Sequence, residues 1–437
     1  MNLRSLFFLA AALLCTLLPA QSPRFSWGAC AGTTDADEGV SIAVDDKGNT
    51  YVTGGFVMDS IRFGHVRLYD PLSSYRNMFL VKYDAGGQVR WAAMGDIRKQ
   101  AYPEKVIADD KGNCFVAGFF VGEELRFNDS LALRGSRSGH TGFLVKFDST
   151  GRALWANGAP GTTYYDMTMD RSGAIYLTGD HRYAYFLSKY DADGKPGWSK
   201  DGYAAGKNWG FGATTDQQGN VFVTGRFEAP EMRLGNFTLK NSTEDLAEVF
   251  FVKYDSAGNE LLAKSLYGSG TDGCNSIGVD QGGNVYLCGY SSSDTLKADG
   301  LASIDTSDAG DRAKNFIVSF DAQGKARWLK RSYGLELSVS PKGTVYTTGS
   351  KKGRYIKDDR WSRYANDLYI GAHDAAGNLL WEKVYVDNDW AEGKGIAIDA
   401  KENIYVTGFF TAKQLDIDGI ELKNQGAGDM FVIKTAK

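Results

Sequence analysis

One phrase recurs seven times along this chain: an apolar stretch, a turn marked by Gly or Asp, a second stretch carrying an aromatic, and a closing glycine. It reads SIAVDDKGNTYVTG up to Gly54, KVIADDKGNCFVAG up to Gly118, DMTMDRSGAIYLTG up to Gly179 and GATTDQQGNVFVTG up to Gly225. The remaining copies are SIGVDQGGNVYLCG up to Gly289, LSVSPKGTVYTTG up to Gly349 and IAIDAKENIYVTG up to Gly408. Successive glycines stand 64, 61, 46, 64, 60 and 59 residues apart. Such a period marks a repeat architecture, in which each unit buries its apolar face against its neighbours. A chain of 437 residues is longer than one ordinary core usually serves, and repetition resolves that difficulty.

Within the phrase, an aromatic lies three residues before each glycine: Tyr51, Phe115, Tyr176, Phe222, Tyr286, Tyr346 and Tyr405. One residue before it stands a small side chain: Thr53, Ala117, Thr178, Thr224, Cys288, Thr348 or Thr407. A period of two puts both on one strand face, and large beside small lets facing sheets interdigitate. A second phrase follows in six copies, for example FLVKYDAGGQVRW to Trp91 and FIVSFDAQGKARW to Trp328. Its turn Asp (Asp84, Asp148, Asp191, Asp255, Asp321, Asp374) precedes a large apolar residue by seven positions each time. Asp caps such a turn and Gly supplies positive φ, so this phrase is a further hairpin and each repeat has four strands.

The seventh copy stops at FVIKTAK, one strand short, and Phe25-Ser26-Trp27 supplies a spare strand with a tryptophan in the matching place. The expected fold is therefore all-β: a seven-bladed β-propeller of four-stranded antiparallel blades spanning residues 25–437. An N-terminal strand would complete the last blade, which closes the ring and protects its edges. These phrases resemble the bacterial β-propeller repeat family found in exported proteins. The pieces from Asp191 to Trp198 and from Asp321 to Trp328 also resemble the tryptophan-docking motif of quinoprotein-type propellers. The resemblance implies a manner of blade packing; it implies neither quinone binding nor any common activity, and no cofactor is expected.

Residues 1–20 read as a signal peptide: Arg4 precedes an apolar run from Leu6 to Leu18, and Pro19-Ala20 offers a cleavage point. The protein is thus expected to be secreted, periplasmic or held at the cell surface. Cys15 follows Leu14 where a lipoprotein needs a small residue, so lipidation is not expected. No later segment is long and apolar enough for a transmembrane helix. A net charge of −4 without a Lys/Arg cluster disfavours nucleic acid as a partner. Export permits disulfides, and Cys274 and Cys288 flank one hairpin. Cys30, Cys114, Cys274 and Cys288 are nevertheless expected to be small buried residues.

The short turns should share one face, and the long connections should share the other, where sites on a rigid frame concentrate. Aromatics near the start of the innermost strand are the binding candidates: Tyr102, Tyr164, Tyr165, Trp209, Tyr333 and Trp390. They either ring the channel mouth, able to stack on sugars or clamp a peptide, or pack between blades. Asp180, His181 and Arg182 form a further candidate, because the third copy lacks the long connection and should leave a notch. The histidines His65, His140, His181 and His373 are scattered, which disfavours a metal site, and no nucleophile elbow is present. The repeated lysines Lys82, Lys146, Lys189, Lys253 and Lys434 are expected to form ion pairs between blades. The expected function is non-catalytic binding or scaffolding through the loop face, with a glycan or protein partner. A polysaccharide-cleaving enzyme and a purely structural envelope component are the alternatives.

Overall fold

The computed structural model describes residues 22–70, 75–136, 139–204, 206–243, 246–300, 314–357, 362–386 and 389–436. The expected signal peptide and Cys15 lie outside these residues. The protein is all-β, and no helix occurs among the described residues. Seven four-stranded antiparallel sheets account for most of it. The first four sheets begin with the strands Glu38–Val44, Gln100–Ala108, Thr162–Met169 and Asn208–Thr215. The last three begin with Asp272–Val279, Gly334–Val339 and Ala391–Ile398. In the first six sheets the four strands follow one another in chain order. The seventh sheet runs through Ala391–Ile398, Ile404–Phe410 and Asp429–Ala436, and its outer strand is Arg24–Ala31. That strand pairs antiparallel with Asp429–Ala436, placing Trp27 beside Lys434 and Ala31 beside Met430. The first strand of each sheet touches that of the next, and the seventh touches the first. Sheets arranged around an axis in this way make a β-propeller.

The repeated residues explain the arrangement. The second-strand aromatics are buried, Tyr51, Phe115, Tyr176, Tyr286 and Tyr405 completely. Four of their hydroxyls donate to the aspartate of the preceding turn: Tyr51 to Asp45, Tyr176 to Asp170, Tyr286 to Asp280 and Tyr405 to Asp399, at 2.9–3.1 Å. The fourth-strand tryptophans Trp91, Trp155, Trp198 and Trp328 lie over the turn glycine of the next sheet. A Cβ on Gly151 would come 2.7 Å from Trp91, and one on Gly377 2.7 Å from Trp328. Those glycines hold φ of +87° and +81°, which adds a second reason for glycine there. Trp27 meets Gly87 in the same way, so the last sheet docks onto the first. Leu262 takes the tryptophan's place above Gly324.

The repeated lysines differ from expectation. Lys146, Lys189 and Lys434 donate to turn carbonyls of the next sheet, at Ala192, Ser256 and Ala85 (2.9–3.1 Å). All five lie over the second-strand ring, as Lys82 does above Tyr51 at 4.8 Å. Only Lys253 makes an ion pair among the described residues, with Asp216 of its own sheet at 3.6 Å. A carbonyl and a ring face sit directly in the ammonium's reach, so a carboxylate from the next blade is not needed.

The long connections do not stand free as loops. They fold into two-stranded hairpins such as Glu124–Asn128 with Leu131–Arg134, and Gln414–Ile417 with Ile420–Lys423. Ile61, Leu125, Met232 and Leu415 bury their apolar faces, and the hairpins pack on outer strands of the sheets. The axial mouth is left to residues at the starts of the first strands. In the third sheet Arg182 and Tyr183 both take positive φ (53° and 69°) and join two strands through a two-residue turn. The four described cysteines, Cys30, Cys114, Cys274 and Cys288, are free, and Cys274 donates to the Cys288 carbonyl at 3.2 Å.

Candidate functional site: the axial cavity

In every sheet, the pairing of first and second strands skips one residue of the first strand. The skipped residues are Val40, Glu104, Tyr165, Phe211, Asn275, Leu335 and Lys394. Such a bulge re-aims a side chain out of the ladder. The repeated glycine makes room for it. A Cβ on Gly54 would lie 2.0 Å from the Glu38 carbonyl oxygen, one on Gly225 1.8 Å from that of Trp209, and one on Gly408 1.9 Å from that of Glu392. All seven bulged residues line one cavity of about 460 Å³ on the axis.

The ring these residues form is two-sided. Tyr165, Phe211 and Leu335 give it an apolar arc, with the Tyr165 and Phe211 rings 5.0 Å apart. Glu104 and Lys394 flank Val40 on the other side. The next residues along the strands add charge. Lys105 pairs with Asp166 across two sheets at 2.8 Å. Asp166 also accepts the Met167 and Ala213 amides at 2.8 and 2.7 Å. Lys394 pairs with Glu392 at 3.0 Å, and Arg76 pairs with Glu38. Each of the three cations thus has its own carboxylate. Glu336 and Glu104 are left over. The Glu336 carboxyl lies near the Ser276 side chain, and burial pushes it up to about 7 against the pull of Lys105. Glu104 has no hydrogen bond or ion pair among the described residues. Burial pushes it up to about 8, opposed by Arg76 and Lys394 and reinforced by Glu38.

Of the residues singled out in the sequence, Tyr102 and Tyr165 line the cavity. Tyr102 stacks on Phe119 at 4.8 Å with the Arg76 guanidinium 5.6 Å from its ring centre. Asp180 is buried near the Tyr165 side chain and accepts the Tyr183 amide at 2.9 Å. Trp209 is buried under the Arg226 guanidinium at 4.6 Å. Arg226 bonds to the Tyr290 hydroxyl at 2.6 Å. Trp390 is exposed and its indole donates to Glu392 at 3.2 Å. Tyr333 is exposed beneath Lys351. Tyr164 turns into the core and packs on Phe186 of its own sheet. His181 sits with Nδ1 2.9 Å from the Thr162 hydroxyl, and neither it nor Arg182 lines the cavity. Glu104, Lys105, Asp166, Glu336 and Lys394 escaped sequence reasoning. The signal was available: each bulged residue lies 14 positions before a repeated glycine, and Lys105, Asp166 and Glu336 lie 13 before one.

No family model matches the chain, so the bacterial repeat family suggested by the phrases is not established. Among curated proteins, the chain is similar to an uncharacterized WD repeat-containing protein of Acanthamoeba polyphaga mimivirus, 23% identical over 441 residues. The match covers 88% of this chain and 30% of that protein, so the chain spans under a third of the relative's length. Similar solved structures include the WD40 domain of Neurospora crassa Pan2, 8% identical with a TM-score of 0.49, covering 95% of this chain and 98% of that one. Sqt1 from Chaetomium thermophilum is 11% identical with a TM-score of 0.46, covering 95% and 100%. A Dyadobacter fermentans protein of unknown function is 11% identical with a TM-score of 0.45, covering 96% and 100%.

Proposed function

We propose that the seven sheets are the blades of one closed propeller, and that the protein is a non-catalytic scaffold docking a protein partner at the axial mouth. The rim carries this reading. Arg76, Tyr102, Arg226, Tyr333 and Trp390 surround the cavity or stand close to it, and Arg, Tyr and Trp dominate binding hot spots. Tyr333 and Trp390 keep 40% and 42% of their surface exposed in the absence of a partner. The leader-like run from Leu6 to Leu18 supports export, with the partner met outside the cytoplasm.

A glycan partner is the second reading, favoured by the same two exposed rings, which could stack on sugars. The test is a displayed peptide library and a glycan array, each probed with the full chain and with a Trp390→Ala/Tyr333→Ala variant. Peptide binders lost in the variant support protein docking, while glycan signal alone transfers the rim to carbohydrate. Absence of both, or release of reducing ends from a polysaccharide, would remove the scaffold reading.

A further inference from the structure

We infer that the axial cavity is a receptor for one organic cation, an ammonium or guanidinium group, held between the Glu104 carboxylate and the rings of Tyr165 and Phe211. The charge pattern points this way. The three cavity cations are each matched by a carboxylate within the cavity, and two carboxyls remain over. Glu104 stands beside Tyr165 in the ring of bulged residues. It faces Arg76, Glu38 and Lys394 without bonding to any of them. Glu336 faces Lys105, Asp166 and Lys394 and lies near the Ser276 side chain. A carboxyl half-buried in the cavity without a partner resists ionisation, because its charged form is poorly solvated. A cation seated against it restores the charged form and gains the attraction of the two ring faces. A volume of about 460 Å³ admits one long side chain or a small amine and excludes a folded element.

Binding must then expel a proton from Glu104. With that group at about 8 in the free protein, affinity for a permanent cation should be ~25-fold weaker at pH 6.5 than at pH 8.5. As the insertion point for a partner's Lys or Arg, the cavity deepens the docking reading and in that role rests on it.

The experiment is calorimetry of the full chain with N-acetyl-argininamide, N-acetyl-lysinamide, butylammonium and the neutral N-acetyl-norleucinamide. At least one cation should bind and norleucinamide should not. Proton release should show as a heat that depends on the buffer. Glu104→Gln should lose at least tenfold in affinity, and Tyr165→Leu should weaken binding with the pH profile kept. Binding of the amino-acid amides without butylammonium would assign the ligand to a polypeptide; equal binding of butylammonium would assign it to a free amine. Equal binding of norleucinamide, or full affinity in Glu104→Gln, overturns the proposal, as does failure of every cation to bind. Should Glu104→Gln not fold, a flat pH profile in the unmodified protein is equally decisive against it. Peptides captured at the rim with unchanged affinity in Glu104→Gln would leave the docking reading standing and this one refuted.

Discussion

Replacing Trp328 by alanine tests the blade-to-blade lock most directly. The side chain is 9% exposed, its ring covers Gly377 of the next sheet, and its indole donates to the Ala375 carbonyl at 3.0 Å. A tryptophan buries about 150–250 Å², which at about 25 cal/mol per Å² amounts to ~4–6 kcal/mol. Compaction of the unfolded chain lowers that to ~3–5 kcal/mol. Trp155 gives an internal control. It covers Gly194 in the same way, but its indole nitrogen is buried without a partner among the described residues. Both alanine variants should therefore cost ~3–5 kcal/mol. Their phenylalanine variants should part company: Trp328→Phe loses a hydrogen bond of about 1 kcal/mol that Trp155→Phe never had. Urea unfolding followed by circular dichroism reads these differences, provided the slopes against urea agree. The reasoning is refuted if Trp328→Ala loses under ~1 kcal/mol, or if Trp155→Phe proves the costlier of the two phenylalanine variants.

Three further outcomes follow from the cavity and its bulges. Gly225→Ala should cost at least ~3 kcal/mol or prevent folding, because the new methyl would meet the Trp209 carbonyl at 1.8 Å; a melting temperature equal to that of the unmodified protein would contradict this. Asp166→Asn should destabilise by ~3 kcal/mol, since Lys105 would keep its charge in the cavity without its paired carboxylate; denaturant midpoints report it. Stability should depend on pH in a defined direction. The Glu104 and Glu336 carboxyls are raised on folding, to about 8 and about 7, so the folded state holds protons that the unfolded chain has released. Their contribution is complete below the usual carboxylate range near 4.3 and is lost as pH rises through 7 and 8. Glu104→Gln should accordingly flatten the fall in urea midpoint between pH 5 and 8.5; an unchanged slope would refute the assignment. Below about pH 4 the sign reverses, because the turn carboxylates of Asp170 and Asp399, opposed by burial but held down by their hydrogen bonds, take up protons only as the fold is lost.

Local rules made the scaffold readable. The turn aspartates and glycines, the alternation of aromatic and small residues, and the large apolar residue seven positions past each turn Asp are choices governed by neighbours in sequence. Recurrence made each of them unmistakable. The cavity was readable only in part. Tyr102 and Tyr165 were found because aromatics near strand starts attract notice. Glu104 and Lys394 were passed over because their repeat position holds Val, Tyr, Phe, Asn or Leu in other copies, and Lys105, Asp166 and Glu336 because theirs holds Ser or Gly in the rest. His181 and Arg182 drew attention through a missing loop, and the structure turns that loop into a tight hairpin with Asp180 folded inward.

The sequence alone determined the unit: four strands, their turns, and the glycine that lets each first strand bulge. Only the tertiary structure decided which residues meet across the axis. Seven first strands separated by 46–64 residues bring Glu104, Tyr165 and Phe211 to one cavity only once the sheets stand around a common centre. The electrostatics of that cavity follow from the same packing, because which carboxylate a lysine finds depends on distances between sheets that no stretch of sequence specifies.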